Sequence, residues 1–199
     1  ADASHELRTP FQGVLGMLQL LEKTPLSRAQ QELVHTARGS ATHLLSILNE
    51  ILDLSAIEAG KPLLHPAPMD LHQLCKEVEA PMRVQAEERA LSLVVEVDSK
   101  VPTWVMGDAT RIKQILFNLL NNAIKFTPKG EVRLYVRGVD LKDGGFQLCF
   151  RVVDTGIGMD SETQARLFQR FAPGDGSLTR RFGGAGLGLE ISRNLARLM

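Results

Sequence analysis

Two apolar stripes at helical spacing, separated by a short break, constrain this chain more than any other feature. Leu7, Phe11, Val14, Leu15, Leu18 and Leu21, with Glu22 at the end, mark one face of a first helix. The break is Thr24-Pro25-Leu26, and Ser27 followed by Gln30 has the form of a capping box that starts a second helix. Val34, Ala37, Ala41, Leu44, Leu48 and Ile51 then recur every three or four residues, and Gly60 is a fitting stop. Two amphipathic helices with a short connection make a hairpin. One hairpin leaves its stripe half covered, and pairing with a second copy into a four-helix bundle covers it. The expected form of residues 1–60 is a homodimer. Packing of the stripe on the rest of the same chain is the alternative.

Residues 61–69 contain Pro62, Pro66 and Pro68 and read as a linker or short edge strand. From residue 70 the pattern changes. Asp70 caps a helix running to about Arg89, Leu91 to Val97 is a β-type run, and Trp104-Val105-Met106 is a short strand. Asp108 caps a helix from Ala109 to about Lys125. Strands follow from Glu131 to Val139 and from Phe146 to Val153, with a turn at Lys142-Asp143-Gly144-Gly145. Residues 70–199 therefore read as an α+β sandwich, with helices on one face of a mixed sheet.

Composition narrows the class. The 199 residues carry 23 Lys+Arg and 23 Asp+Glu, a formal net charge of zero. That argues against a nucleic-acid-binding module, which usually carries a basic excess. Cys75 and Cys149 stand apart and read as buried free thiols rather than a disulfide or zinc pair. No apolar run reaches membrane-spanning length and no signal peptide is evident. The chain begins and ends within helical patterns, so the expectation is a piece of something longer.

Ser4-His5-Glu6-Leu7-Arg8-Thr9-Pro10 opens the first helix. A neutral imidazole is a good nucleophile near neutral pH. Glu6 is its immediate neighbour and can orient or accept the other ring proton. Thr9, four residues on, shares a helix face with His5, where a hydroxyl can position a water. Pro10 removes the normal partner of the Glu6 carbonyl, and a kink is expected there. The bland alternative for a lone histidine is a surface position at a helix start. His35, His43, His65 and His72 have no comparable surroundings.

A second cluster lies on the helix from Ala109. Asn118, Asn121, Asn122 and Lys125 fall in one arc about 100° wide, apart from the apolar arc of Ile112, Ile115, Leu116, Leu119, Leu120 and Ala123. Such a polar strip suits a hydrated cation and phosphate oxygens, and magnesium accepts neutral oxygen ligands while keeping several waters. A plain solvated face would hold fewer Asn, which disfavour helices. Asp154-Thr155-Gly156-Ile157-Gly158-Met159 follows an apolar strand. There a carboxylate can accept from an exocyclic amine such as adenine N6, and the glycines permit a tight turn. Gly183-Gly184-Ala185-Gly186-Leu187-Gly188 feeds a helix from Glu190 to Met199, a generic phosphate cradle. The preceding stretch, Leu167 to Arg181, reads as a lid in which Arg180 and Arg181 can follow the phosphates.

Across all seven positions, Ser4 to Pro10 resembles the H box of histidine kinases. The later segments, in their order, resemble the N, G1, F and G2 boxes of the ATPase fold shared by histidine kinases, gyrase, mismatch-repair ATPases and heat-shock chaperones. The resemblance spans nearly the whole chain. It implies a two-domain sensor histidine kinase core, related to those of hybrid kinases, that uses ATP and Mg2+. It implies that Asn122 is the magnesium ligand with Asn118 in support, and that Lys125 approaches phosphate. Asp154 then reads adenine, with Gly156 and Gly158 shaping its pocket. Phe168 and Phe171 correspond to the F box, and Gly184, Gly186 and Gly188 to the hinge and phosphate contact of the lid. Ala185 stands where this loop often carries Thr, so one hydroxyl contact is missing. The ATP-binding domain is expected to be clipped before its final strands.

Relatives that hydrolyse ATP place a Glu at the position of Asn118, where it activates water, and an amide cannot act as that base. The implied reaction is transfer from Mg-ATP to His5, then to an aspartate of a response-regulator receiver domain. Glu6 and Thr9 in a Glu-x-x-Thr arrangement add dephosphorylation of that regulator. The implied location is the cytoplasmic portion of a membrane-anchored bacterial sensor. The alternative is a regulatory scaffold that docks on and inhibits another histidine kinase through the hairpin.

Overall fold

The computed structural model describes residues 3–59, 64–140, 146–166 and 188–199; for residues 3–8, 58, 140 and 166 the backbone alone is described. The chain divides into two compact units, Ala1–Leu63 and Leu64–Met199.

The first unit is a helical hairpin of α1 (Ala3–Glu22) and α2 (Arg28–Glu58). The capping box that starts α2 is formed: Gln30 N donates to Ser27 Oγ at 3.3 Å, and Ser27 N donates to Gln30 Oε1 at 2.9 Å. At the turn, Thr24 Oγ1 donates to the Leu21 carbonyl at 2.7 Å, and Arg38 pairs with Glu22 across the two helices at 3.0 Å. Pro10 lies inside the continuous α1. Helix α2 stops at Glu58 with Ala59 as its C-cap; Gly60 lies outside the described residues. Val34 and Leu54 are buried, whereas Val14, Met17, Leu20, Leu21, Leu33, Leu44 and Ile51 are exposed in the single chain.

The second unit begins with β1 (Ala67–Asp70), which pairs antiparallel with β3 (Trp104–Gly107), Pro68 opposite Met106. All of this strand but Asp70 falls within the stretch that the sequence marks as linker or edge strand. Asp70 caps α3 (Leu71–Glu88), accepting from Gln73 N at 2.9 Å. A three-stranded sheet has the order β2 (Ser92–Val97), β4 (Glu131–Asp140), β5 (Phe146–Asp154). The β2–β4 pair is parallel and the β4–β5 pair antiparallel, with Val132 opposite Asp154. Helix α4 (Ala109–Phe126) packs with α3 on this sheet. Leu74, Val78, Leu116, Leu120, Leu134 and Val136 form the centre of the core. A short α5 (Ser161–Arg166) and the helix α6 (Gly188–Leu198) complete the described elements. Ile191 and Leu195 anchor α6, which lies against α4.

One expectation fails. Both cysteines are free, but only Cys75 is buried; Cys149 is exposed. Strand alternation explains it, because Cys149 points away from the face on which Leu148 and Phe150 approach the core. Burial and then the nearby Glu79 push the Cys75 thiol up to about 11, so it is an inert core side chain. Among the described residues no helix is long and apolar enough to cross a membrane.

Asp108 sets the position of α4. It is buried, caps the helix by accepting from Arg111 N at 3.1 Å, and accepts from His65 N at 2.8 Å with its other oxygen. Burial raises its pKa, but the amides of His65, Arg111 and Thr110 more than offset this, leaving it below the ordinary Asp value. Its folded pKa is lowered, so its stabilisation is present above the unfolded value of about 4 and fades as pH falls through the folded one. Asp108→Ala strands those donors and should cost about 2–3 kcal/mol. Urea denaturation should show this, together with a flatter pH dependence for the variant below about pH 5.

Candidate functional site

The polar face of α4 is built by helical periodicity. Ile112, Leu116, Leu120, Ala123 and Ile124 are buried, which turns Asn118, Asn122 and Lys125 to the other side. Asn118 and Asn122 are one turn apart, and Asn122 Nδ2 donates to Asn118 Oδ1 at 3.4 Å. Asn118 Nδ2 in turn donates to Ser192 Oγ of α6 at 2.8 Å. Ser192 is buried. Sequence reasoning missed it, because its only local signal is a position one turn after Gly188.

Gly188 opens α6 directly against the same amide. A Cβ there would overlap Asn118 Oδ1 and lie 2.9 Å from its Cγ. The glycine expected to serve the lid thus packs on the Asn118 amide. Lys125 sits with its ammonium 5.0 Å from the Phe126 ring centroid. Burial and then the Arg89 charge push its pKa below the usual lysine value.

The segment after β5 docks on the end of α4. Asp154 Oδ1 accepts from Gly156 N at 2.9 Å, a local turn that fixes the carboxylate and leaves its second oxygen for another donor. Ile157 N donates to the Phe126 carbonyl at 3.2 Å. Gly156 is required by proximity: a Cβ would lie 2.5 Å from that carbonyl oxygen and 2.7 Å from Asp154 Oδ1. Gly158 is required by conformation, with φ at +68°. Thr155 ties the strand end to β4, its Oγ1 accepting from Glu131 N at 3.0 Å.

The structure thus brings Asn118, Asn122 and Gly188 together at one place and Asp154, Gly156 and the end of α4 at another. Thr9 is exposed on α1; His5 and Glu6 lie in the same helix, but their side chains are outside the described residues. Phe168, Phe171, Arg180, Arg181, Gly184 and Gly186 lie outside the described residues. Among the described residues no group of three His, Cys, Asp or Glu could hold a metal. The neutral amide oxygens of α4 fit a magnesium ion that keeps waters and shares its shell with phosphate.

Gly156→Ala should push the 154–158 segment off α4, since a backbone carbonyl cannot yield as a flexible side chain does. Hydrogen exchange should show lost protection at the Ile157 amide, with a stability loss of about 1–2 kcal/mol.

Residues 1–60 match the His Kinase A (phospho-acceptor) domain, and residues 107–199 match the histidine kinase-, DNA gyrase B-, and HSP90-like ATPase family. The signal transduction histidine-protein kinase BarA of Escherichia coli is 41% identical over 199 residues, all of this chain and 22% of that protein. The sensor protein GacS of Pseudomonas syringae is 43% identical, again over all of this chain and 22% of its own length. A hybrid signal transduction histidine kinase of Dictyostelium discoideum is 38% identical over 195 residues. The chain thus spans about a fifth of the length of BarA and GacS. Among solved structures, full-length ShkA in complex with AMPPNP superposes with a TM-score of 0.76 at 39% identity, covering 99% of this chain and 40% of ShkA. The Acinetobacter baumannii histidine kinase AdeS, at 22% identity and a TM-score of 0.64, shares the fold. With a phospho-acceptor hairpin followed in one chain by an ATP-binding domain of this type, the protein belongs to the histidine kinases, of which it forms a catalytic core.

Proposed function

We propose that this core autophosphorylates His5 from Mg-ATP and passes the phosphoryl group to an aspartate of a response-regulator receiver domain. The single observation that carries the reading is the union, in one chain, of a phospho-acceptor domain over 1–60 with the ATPase domain over 107–199. In the reaction a ring nitrogen of His5 attacks the γ-phosphorus in line, the P–N bond forms and ADP leaves. Glu6 takes or orients the other ring proton. Asn122, supported by Asn118, would hold a magnesium ion, which would supply positive charge to offset that of the phosphates. Lys125 contributes a positive charge near Arg89, and two cations held close together favour an anionic ligand. Asp154 accepts from the adenine amine, while Gly156 and Gly158 shape that pocket. Phe168, Phe171, Arg180, Arg181, Gly184, Gly186 and Gly188 complete the nucleotide site.

The active form is a homodimer. Support comes from the seven large apolar side chains that α1 and α2 expose in the single chain; burying one such side chain contributes about 1.5–3 kcal/mol. Thr9, with Glu6, positions water for dephosphorylation of the receiver domain. The core works as the cytoplasmic portion of a longer, membrane-anchored sensor.

Incubation with γ-labelled ATP and Mg2+ tests the assignment. Wild type should acquire acid-labile, alkali-stable label, and His5→Gln should acquire none. Asn122→Ala should lower labelling at least about a hundredfold, as loss of a phosphate-neutralising group does. Absence of label in wild type despite ATP binding would instead favour an inhibitory scaffold acting on another histidine kinase.

A further inference from the structure

We propose that Ser192 is a positioning residue for the magnesium site: its hydroxyl holds the Asn118 amide, and through it Asn122, so that Asn122 presents an oxygen to the cation. This rests on the reading of Asn122 as the metal ligand. An Asn side chain has two orientations of nearly equal shape, and turning it over exchanges an acceptor for two donors. Only one orientation of Asn122 serves a cation, because an N–H aimed at a positive charge is repelled.

Nothing on α4 alone chooses between the two. Asn118 and Asn122 can bond to each other in either sense, and their 3.4 Å contact is long for an N–H···O bond. A serine hydroxyl can meet either end of an amide, so the choice comes from α6 as a whole: Gly188 presents its C–H side to Asn118 Oδ1, where a turned-over amine would set N–H against C–H, and Ser192 takes the end that is left. Asn118 Nδ2 donates to Ser192 Oγ at 2.8 Å, close to the ideal distance, and Ser192 is buried. With Nδ2 engaged there, Asn118 turns Oδ1 to Asn122. Asn122 answers with its Nδ2, which leaves its own Oδ1 for the metal. If Asn118 turned over, its amine would face the Asn122 amine, and Asn122 would have to turn as well.

Gly188 makes the approach possible. It lies one turn before Ser192 on α6, and its bare Cα packs where a Cβ would overlap Asn118 Oδ1. The amide is therefore gripped from two points on one face of α6 and loses the freedom it would have on a solvated helix.

Calorimetric titration of ADP into the chain, with and without Mg2+, tests the role without relying on turnover. Wild type should bind ADP more tightly with Mg2+. Ser192→Ala should lose about fivefold of that gain, the worth of one hydrogen bond, and keep its metal-free affinity. Asn118→Ala should lose the same gain, and the double variant should lose no more than Asn118→Ala alone. Should Ser192→Ala unfold, Ser192→Cys keeps the volume with a much weaker partner and reads the same quantity. A full Mg2+ gain in the serine variant, an equal loss with and without Mg2+, or additive losses in the double variant would overturn the proposal. Asn122→Ala separates the two readings. If it loses the gain while Ser192→Ala keeps it, only the positioning role falls; if it keeps the gain, the metal assignment falls and the role of Ser192 with it.

Discussion

One buried carboxylate governs the catalytic half of this chain. Asp108 collects the amide of His65, at the entry to the second unit, and the first-turn amides of α4. A charge taken out of water is costly unless it is densely hydrogen-bonded, and here the helix itself supplies the donors. The position of α4 is thereby fixed at its first turn. The candidate site, among the described residues, follows from that helix: its apolar side completes the core with α3 and the sheet, and its polar side carries the amides. The carbonyl of its last residue, Phe126, receives the segment after β5.

That carbonyl illustrates how a glycine-containing loop becomes a defined wall. A helix ends with acceptors that lack partners. In α4 the Phe126 carbonyl is met by the Ile157 amide, and the close approach leaves no room for a side chain at Gly156. Asp154 then holds Gly156 N, so the carboxylate is oriented before any ligand arrives. Preorganisation of this kind lowers the ordering cost of binding.

Much of this was legible in the sequence where the governing physics is local. Ser27 with Gln30, Asp70 and Asp108 announce helix starts through side chains that bond their own first turn. The period of α4 separates Asn118 and Asn122 from Leu116 and Leu120 without any tertiary knowledge. Features that depend on distant segments were not legible. The partner of Asn118 is Ser192, 74 residues away, and no local pattern names it. Cys149 was misread because an isolated thiol suits either face of a strand, and the pairing of β5 with β4 decided which. The packing of Gly188 was hidden for the same reason: a glycine-rich run suggests ligand contact, while its approach to Asn118 on α4 is visible only in three dimensions.

That glycine also changes how sequences of this kind are to be compared. A descendant that abandoned nucleotide chemistry but kept α6 seated on α4 would be obliged to keep position 188 bare only while it kept the amide of Asn118, the side chain that a Cβ there would meet. Positions 118 and 188 are therefore to be read as a pair: a side chain appearing at 188 tells that the amide at 118 has gone or has moved aside.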